Sequence, residues 1–182
     1  DHPAAALRRP KVDPLAPPAR YHHALTLMAG DRLSESRRAI DDGRRLLGES
    51  AFYFDTLCTW LELAGEYAQS LRTAELALQR FPTAAQLAFH AGYAEARLGD
   101  IAAARARFAH FDRLRDGARH FAMAYIESGG ADDAAFFEHV QAVAVPTEPL
   151  QLLLPCQPTF RRHHNDPRWR ALLATMNYPA TT

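Results

Sequence analysis

Apolar and polar positions follow a helical period through most of the chain, and short breaks centred on glycine separate the helical stretches. From Ala19 onward the breaks fall at Gly30-Asp31, Gly48, Gly65-Glu66, Gly99-Asp100 and Gly129-Gly130. A glycine at such a break can adopt a positive φ, which ends one helix and reverses the chain within a few residues. The pattern therefore predicts an all-α chain built from antiparallel helical hairpins, with no β-sheet.

The spacing of two of these breaks indicates an internal repeat. Gly65 and Gly99 lie 34 residues apart, and a fixed period of this length is typical of helical-repeat proteins. Superposing the two stretches predicts hairpins at about 51–82 and 85–115. Weaker patterns predict flanking hairpins at about 19–48 and 117–144.

Two small sequence features support these boundaries. Pro82 cannot continue a helix, so it is expected to separate the second hairpin from the third. Ala104 is a small residue at the point where the two helices of the third hairpin would cross closely.

The C-terminal part of the chain carries the features of a final amphipathic helix. Asp166 is suited to the N-cap and Pro167 to the first helical turn. Trp169, Leu172, Leu173 and Met176 then form an apolar stripe at helical spacing. We expect residues 147–178 to form a segment that caps the last hairpin.

Taken together, these residues resemble the tetratricopeptide repeat (TPR) family. The resemblance lies in Phe54, the turn at Gly65, the small residues Ala74 and Ala77, and the closing Pro82 of the first unit, and in Gly92, Gly99, Ala104 and Phe108 of the next. The Asp166-Pro167-Arg168-Trp169 motif with Leu172-Leu173 is similar to the ends of TPR regions in bacterial transcriptional regulators and nucleotide cyclases. The resemblance implies stacked antiparallel hairpins in a right-handed superhelix, closed by a C-terminal capping helix.

Length, charge and composition limit the number of domains, the binding partners and the cellular location that the chain can have. The chain has 182 residues, 48% of them hydrophobic, and a formal net charge of +0. One domain is expected at this length, and the balanced charge argues against binding to nucleic acid or to an anionic membrane. No apolar run approaches the roughly 20 residues of a membrane span. Residues 1–18 hold five of the twelve prolines and are predicted to be a linker; we expect a cytoplasmic location, or a periplasmic one if a membrane anchor precedes the chain.

Candidate catalytic and metal-binding residues form no recognisable set. There are nine histidines, but the pairs His22-His23 and His163-His164 are adjacent, and adjacent helical side chains point about 100° apart. Cys58 is expected to be a buried, inert thiol and Cys156 to lie in a loop; a disulfide between them is a minor alternative. No nucleophile or phosphate-loop motif occurs. The sequence thus predicts no enzyme activity, no metal and no cofactor.

The TPR resemblance also implies a binding surface, because the first helix of each hairpin lines the concave wall in that family. Exposed aromatic residues beside a few charges are typical of surfaces that bind a protein or peptide. The alternative is that Phe52, Phe89 and Tyr93 only pack against neighbouring helices. The residues predicted to line this groove are Phe52, Asp55, Thr59, Glu62, Gln86, Phe89, Tyr93, Arg97, His120 and Glu127.

We therefore expect a non-enzymatic protein-interaction or regulatory module, part of a larger bacterial protein. The alternative is a domain that senses a small ligand or peptide and controls an attached DNA-binding domain. A deep apolar pocket with converging polar groups would favour the sensor, whereas a shallow groove or an exposed apolar patch would favour the interaction module.

Overall fold

The computed structural model describes residues 17–145 and 149–176, and these residues form helices without any strand. The predicted proline-rich linker therefore lies almost wholly outside the described residues. The all-α prediction is confirmed for the described ranges. The α-helices are α1 (Pro17–Ala29), α2 (Leu33–Leu47), α3 (Ala51–Leu63), α4 (Tyr67–Arg80), α5 (Ala85–Arg97), α6 (Ile101–Ala106), α7 (Asp116–Glu127), α8 (Asp133–Val143) and α9 (Pro167–Thr175), with 3₁₀ segments at Arg107–Phe111, Pro149–Cys156 and Pro158–His163.

The first three hairpins repeat at a constant interval. Helices α1, α3 and α5 begin at residues 17, 51 and 85, and helices α2, α4 and α6 begin at residues 33, 67 and 101, so each start is shifted by 34 residues. The fourth hairpin departs from this interval, since α7 begins at residue 116 and α8 at residue 133. The period that the sequence shows at two glycines thus extends over three hairpins.

The turns of these hairpins share one backbone geometry. Asp31, Gly65 and Gly99 all adopt positive φ, at 58°, 79° and 95°. In each turn the following amide donates to a carbonyl five residues earlier, as Glu66 does to Leu61 at 2.8 Å and Asp100 to Glu95 at 2.9 Å. These bonds satisfy carbonyls that the helix end would leave free and reverse the chain within three residues.

The first helices of the hairpins form a continuous layer, because α1 contacts α3, α3 contacts α5, and α5 contacts α7. Small residues allow the close approach within this packing. Ala104 is only 1% exposed, as the predicted helix crossing requires. A Cβ atom on Gly92 of α5 would lie 2.4 Å from Cδ1 and 2.7 Å from Cγ1 of Ile126 on α7, so a larger residue would force this buried side chain to shift.

The third hairpin has an unusually short second helix. Helix α6 ends at Ala106 and continues as the 3₁₀ segment Arg107–Phe111, whereas the equivalent α4 runs to Arg80. The segment after Ala106 stays beside α4, where Arg107 donates to Glu75 at 3.2 Å, and α7 begins 31 residues after α5 rather than 34.

The C-terminal segment packs across the layer of first helices. The predicted cap of α9 is confirmed, since the Asp166 side chain accepts from the Arg168 amide and Pro167 occupies the first turn. The large apolar side chains that this segment buries include Leu154, Phe160, Trp169, Leu172 and Leu173.

The 3₁₀ segment Pro158–His163 brings the chain back toward the N-terminal helices, where it contacts α3. Here Arg161 donates to the carbonyl of Ala29 at 2.6 Å and to that of Met28 at 3.2 Å. These carbonyls end α1, so the guanidinium satisfies acceptors that the helix leaves free.

No helix among the described residues is long and apolar enough to cross a membrane.

The close crossing at Ala104 provides a test of the packing. We expect Ala104→Leu to lower the free energy of unfolding by about 1–3 kcal/mol, because the added methylenes must enter a filled contact. The matched control is Ala102→Leu, since Ala102 is exposed on the same helix and should change stability by less than about 0.5 kcal/mol. Urea unfolding followed by circular dichroism measures both, and equal stabilities would show that the crossing lies elsewhere.

Candidate functional site

A buried polar network connects three of the first helices. Asp55 and Glu62 lie two turns apart on α3, His90 lies on α5, and Tyr125 lies on α7. His90 Nδ1 is 2.8 Å from Glu62 Oε1, and His90 Nε2 is 3.1 Å from Asp55 Oδ1. The imidazole ring therefore bridges both carboxylates of α3, and each of its nitrogens faces an acceptor.

The two carboxylates determine the charge of the ring. His90 is only 3% exposed, and burial by itself would lower the pKa of its imidazole. Glu62 and Asp55 outweigh this effect through their charges and hydrogen bonds, and the pKa of His90 rises from 6.5 to about 10. His90 is therefore an imidazolium at neutral pH and donates from both nitrogens.

The remaining bonds of Glu62 come from two further elements. The Tyr125 hydroxyl donates to Glu62 Oε2 at 2.7 Å, and the Ser70 hydroxyl of α4 donates to Oε1 at 3.2 Å. Burial and the Glu62 charge hold the pKa of the Tyr125 hydroxyl well above its usual value. A carboxylate with this many donors is the arrangement in which a buried charge is tolerated.

This network can hold helices and side chains in position, and its buried groups are not free for covalent or acid–base chemistry. Its buried groups satisfy one another, and none of its members is a free nucleophile. Cys58 lies beside it, with Sγ 3.8 Å from the Ser70 carbonyl. Burial raises the pKa of this thiol well above its usual value, which agrees with the predicted inert cysteine.

Four residues predicted to line an open groove are instead buried, which corrects their placement. Tyr93 packs in an aromatic cluster, with its ring centroid 5.5 Å from that of Tyr125. Glu127 accepts from Arg105 of α6 at 2.8 Å, so it faces the neighbouring helix. Thr59 and Glu62 are buried on α3. The physical reason is that the first helices pack against one another at these positions, α3 against α5 and α5 against α7, and that the C-terminal segment also packs onto α3.

The other six predicted groove residues keep exposed surface. Phe52 is 50% exposed, and the Asp55 side chain is 28% exposed. Gln86 and Phe89 are half-buried. The exposed Arg97 lies 4.7 Å above the ring of Tyr67. His120 is half-buried and faces His139, with 3.1 Å between the two Nδ1 atoms.

The structure thus divides the predicted groove into two parts. The four residues toward the N-terminal ends of α3 and α5 are Phe52, Asp55, Gln86 and Phe89, and we call them the α3–α5 edge. The edge is connected to the interior through the bond from His90 to Asp55. The predicted groove residues that are buried, Thr59, Glu62, Tyr93 and Glu127, lie in the C-terminal halves of α3, α5 and α7.

The paired histidines near the C-terminus serve the core. His163 is buried and stacks on Phe136, with ring centroids 3.7 Å apart, and His164 stacks on Trp169 at 5.1 Å. Burial and the neighbouring Arg162 lower the pKa of His163 to about 4. Within residues 17–145 and 149–176, no group of three metal-ligating side chains comes together.

The short α6 leaves a surface cleft of about 520 Å³ between α4 and the segment after Ala106. Polar atoms contribute more of its lining than apolar atoms do. The lining residues include Leu78, Pro82, Ala88, His110, Arg113 and Leu114.

No protein-family model, curated protein or solved structure matches the chain in the three comparisons.

Three members of the network, His90, Tyr125 and Ser70, were not predicted from the sequence as functional residues. The relevant signal is the polar stripe of Asp55, Thr59 and Glu62 on the otherwise apolar α3. A helix with acidic residues on a buried face requires a cation and donors on its neighbours. His90 and Glu62 are 28 residues apart, which does not match the 34-residue repeat. The repeat pattern of the sequence therefore does not reveal that they are partners.

The Tyr125 hydroxyl provides a test of the network. We expect Tyr125→Phe to lower the free energy of unfolding by about 1–3 kcal/mol, because the Glu62 carboxylate stays buried with one donor fewer. Tyr67→Phe is the control, since the half-buried Tyr67 hydroxyl makes no hydrogen bond within the described residues. Chemical denaturation compares the two, and equal losses would show that the Tyr125 bond contributes nothing specific.

The two buried histidines should give stability a maximum near neutral pH. His90 has a folded pKa above its ordinary value of 6.5, so its contribution is complete below pH 6.5 and is lost as the pH rises toward 10. His163 has a folded pKa of about 4, so its contribution is complete above pH 6.5 and is lost as the pH falls toward 4.

Urea unfolding between pH 5 and pH 9 measures both limbs of this profile. His90→Gln should flatten the alkaline limb, and His163→Gln should flatten the acid limb. A wild-type profile without a maximum would contradict the assigned charge states.

Proposed function

We propose that the chain is a TPR-like protein-interaction module that binds a segment of a partner protein on the α3–α5 edge. The module is non-enzymatic and belongs to a larger bacterial protein. The observation that carries the proposal is the half-exposed Phe52, a large ring held at the surface of the first-helix layer beside a partly exposed carboxylate. Aromatic side chains of this kind dominate binding energy at protein interfaces.

The repeat geometry supports this function. The helices of the first three hairpins start at 34-residue intervals and share the same turn. Repeat proteins of this type use the surface formed by equivalent helices to bind extended partners. Phe52 and Gln86 occupy equivalent positions of successive repeats, so a partner lying across α3 and α5 contacts both.

The closed part of the first-helix layer defines where such a partner can lie. The segment Pro158–His163 contacts α3, and Phe160 packs against Tyr125 with ring centroids 6.3 Å apart. A partner therefore has access to the N-terminal turns of α3 and α5 and is excluded from the buried Tyr93 and Glu62.

A ligand-sensing function is the second candidate, and the cleft beside α4 favours it. Its volume of about 520 Å³ lies in the range of small-molecule sites. However, the cleft is partly open to solvent, and polar atoms contribute more of its lining than apolar atoms do. The exposed edge around Phe52 therefore has the stronger support.

The interaction proposal is tested by peptide selection on the full chain. Peptides selected from a random library are measured by fluorescence anisotropy against the parent chain and against Phe52→Ala. We expect Phe52→Ala to weaken binding tenfold or more, because loss of a hot-spot aromatic costs about 2 kcal/mol or more.

Leu76→Ala is the matched control, since Leu76 on α4 is 53% exposed and lies outside the proposed surface. It should bind the peptides as the parent chain does. Failure to select any peptide, or equal losses in both variants, would refute binding at the α3–α5 edge.

A further inference from the structure

Arginines of this protein repeatedly bind between an aromatic ring and a carboxylate. The Arg168 guanidinium lies 4.1 Å from the centroid of Phe137 and 2.8 Å from the carboxylate of Asp166. Arg37 lies 5.1 Å from the Trp60 ring and 3.2 Å from the carboxylate of Asp41. Two further arginines share this arrangement: Arg44 between Tyr53 and Glu49, and Arg80 between Phe54 and Glu49.

The α3–α5 edge presents the same two partners without an arginine. Phe52 and Asp55 are three residues apart on α3, so their side chains leave the helix on the same side. Both keep exposed surface. In the part of the chain that the structure describes, no arginine lies within ion-pair distance of Asp55, whose Oδ1 accepts from His90 while Oδ2 has no hydrogen-bond partner.

The buried network holds Asp55 in place for such a ligand. The bond to the imidazolium of His90 fixes the carboxylate, and His90 is itself fixed by Glu62. A preorganised acceptor loses little conformational freedom when a ligand binds, which favours affinity. The partly exposed Asp55 carboxylate is thus held at a constant position on the side of α3 that also carries Phe52.

The charge of the network favours a cation. Two carboxylates and one imidazolium leave a net charge of −1, and Asp55 is the member with substantial exposed surface. Gln86 lies one turn before His90 on α5, so its side chain leaves the helix on the same side as His90. Its amide oxygen is a second acceptor from the neighbouring helix.

We propose that Phe52 and Asp55 form a receptor for an arginine side chain of the partner protein. This inference rests on the proposed interaction function and specifies the chemistry of its ligand. A guanidinium is favoured over an ammonium because its plane can stack on the ring while its edge donates to Asp55 Oδ2 and to Gln86.

The test uses the peptides selected on the full chain, resynthesised with each arginine replaced by citrulline, which has the same shape but no charge. We expect arginine to be enriched in the selected peptides. One citrulline replacement should weaken binding to the parent chain tenfold or more. The same replacement should change binding to Asp55→Asn by less than threefold, because the charge partner is already absent there.

Two further variants keep the test independent of folding. Phe52→Leu retains apolar area without an aromatic ring, and it should weaken arginine peptides while leaving the thermal melting curve unchanged. Asp112→Asn removes an exposed acidic residue elsewhere on the surface and should leave the citrulline effect at its parental size.

The outcomes separate the two proposals. Peptides that lose affinity with Phe52→Ala but tolerate citrulline, or bind equally well with lysine in place of arginine, would overturn the arginine receptor and leave the interaction function standing. Peptides that are insensitive to Phe52→Ala would overturn the interaction surface itself.

Discussion

A buried cation held between two carboxylates is the interaction on which the arrangement of the first helices depends. His90 can remain charged in the interior only because Glu62 and Asp55 face both ring nitrogens, and Glu62 can remain there only because Tyr125 and Ser70 also donate to it. Removal of any one member leaves an uncompensated polar group away from water, which is costly. The network therefore fixes the register of α3 against α4, α5 and α7 more narrowly than apolar contacts do, since those tolerate small shifts.

The C-terminal segment determines which part of the first helices stays exposed to solvent. By packing across α3 and against α7 and α8, it buries aromatic residues that a row of hairpins by itself would expose. Arg161 ties this segment to the end of α1 through two backbone carbonyls. The first and last parts of the described chain are thus joined, and the predicted groove residues Glu62 and Tyr93 are closed off from solvent.

These two features are connected at Asp55. The interior of the network is closed, but Asp55 carries its charge to the surface beside Phe52. The bond from His90 to Asp55 therefore has two effects. It stabilises the interior, and it fixes the orientation of the partly exposed Asp55 carboxylate. Elsewhere in the chain four arginines each lie near both an aromatic ring and a carboxylate, and this recurrence is the basis of the proposed arginine receptor.

The sequence by itself determined the helical hairpins, their turns and the cap of α9, because these depend on contacts within a few residues. Gly65 and Gly99 define positive-φ turns, and Asp166-Pro167 defines a helix start, whatever the rest of the chain does. The burial of Ala104, Trp169 and Leu173 was also predictable from helical spacing. Only the tertiary structure decided which of the ten predicted groove residues are exposed. Tyr93 and Glu127 are indistinguishable in pattern from surface residues, and their burial depends on where α6, α7 and the C-terminal segment pack. The pairing of His90 with Glu62 likewise requires α3 and α5 to meet, and no local periodicity encodes such a meeting.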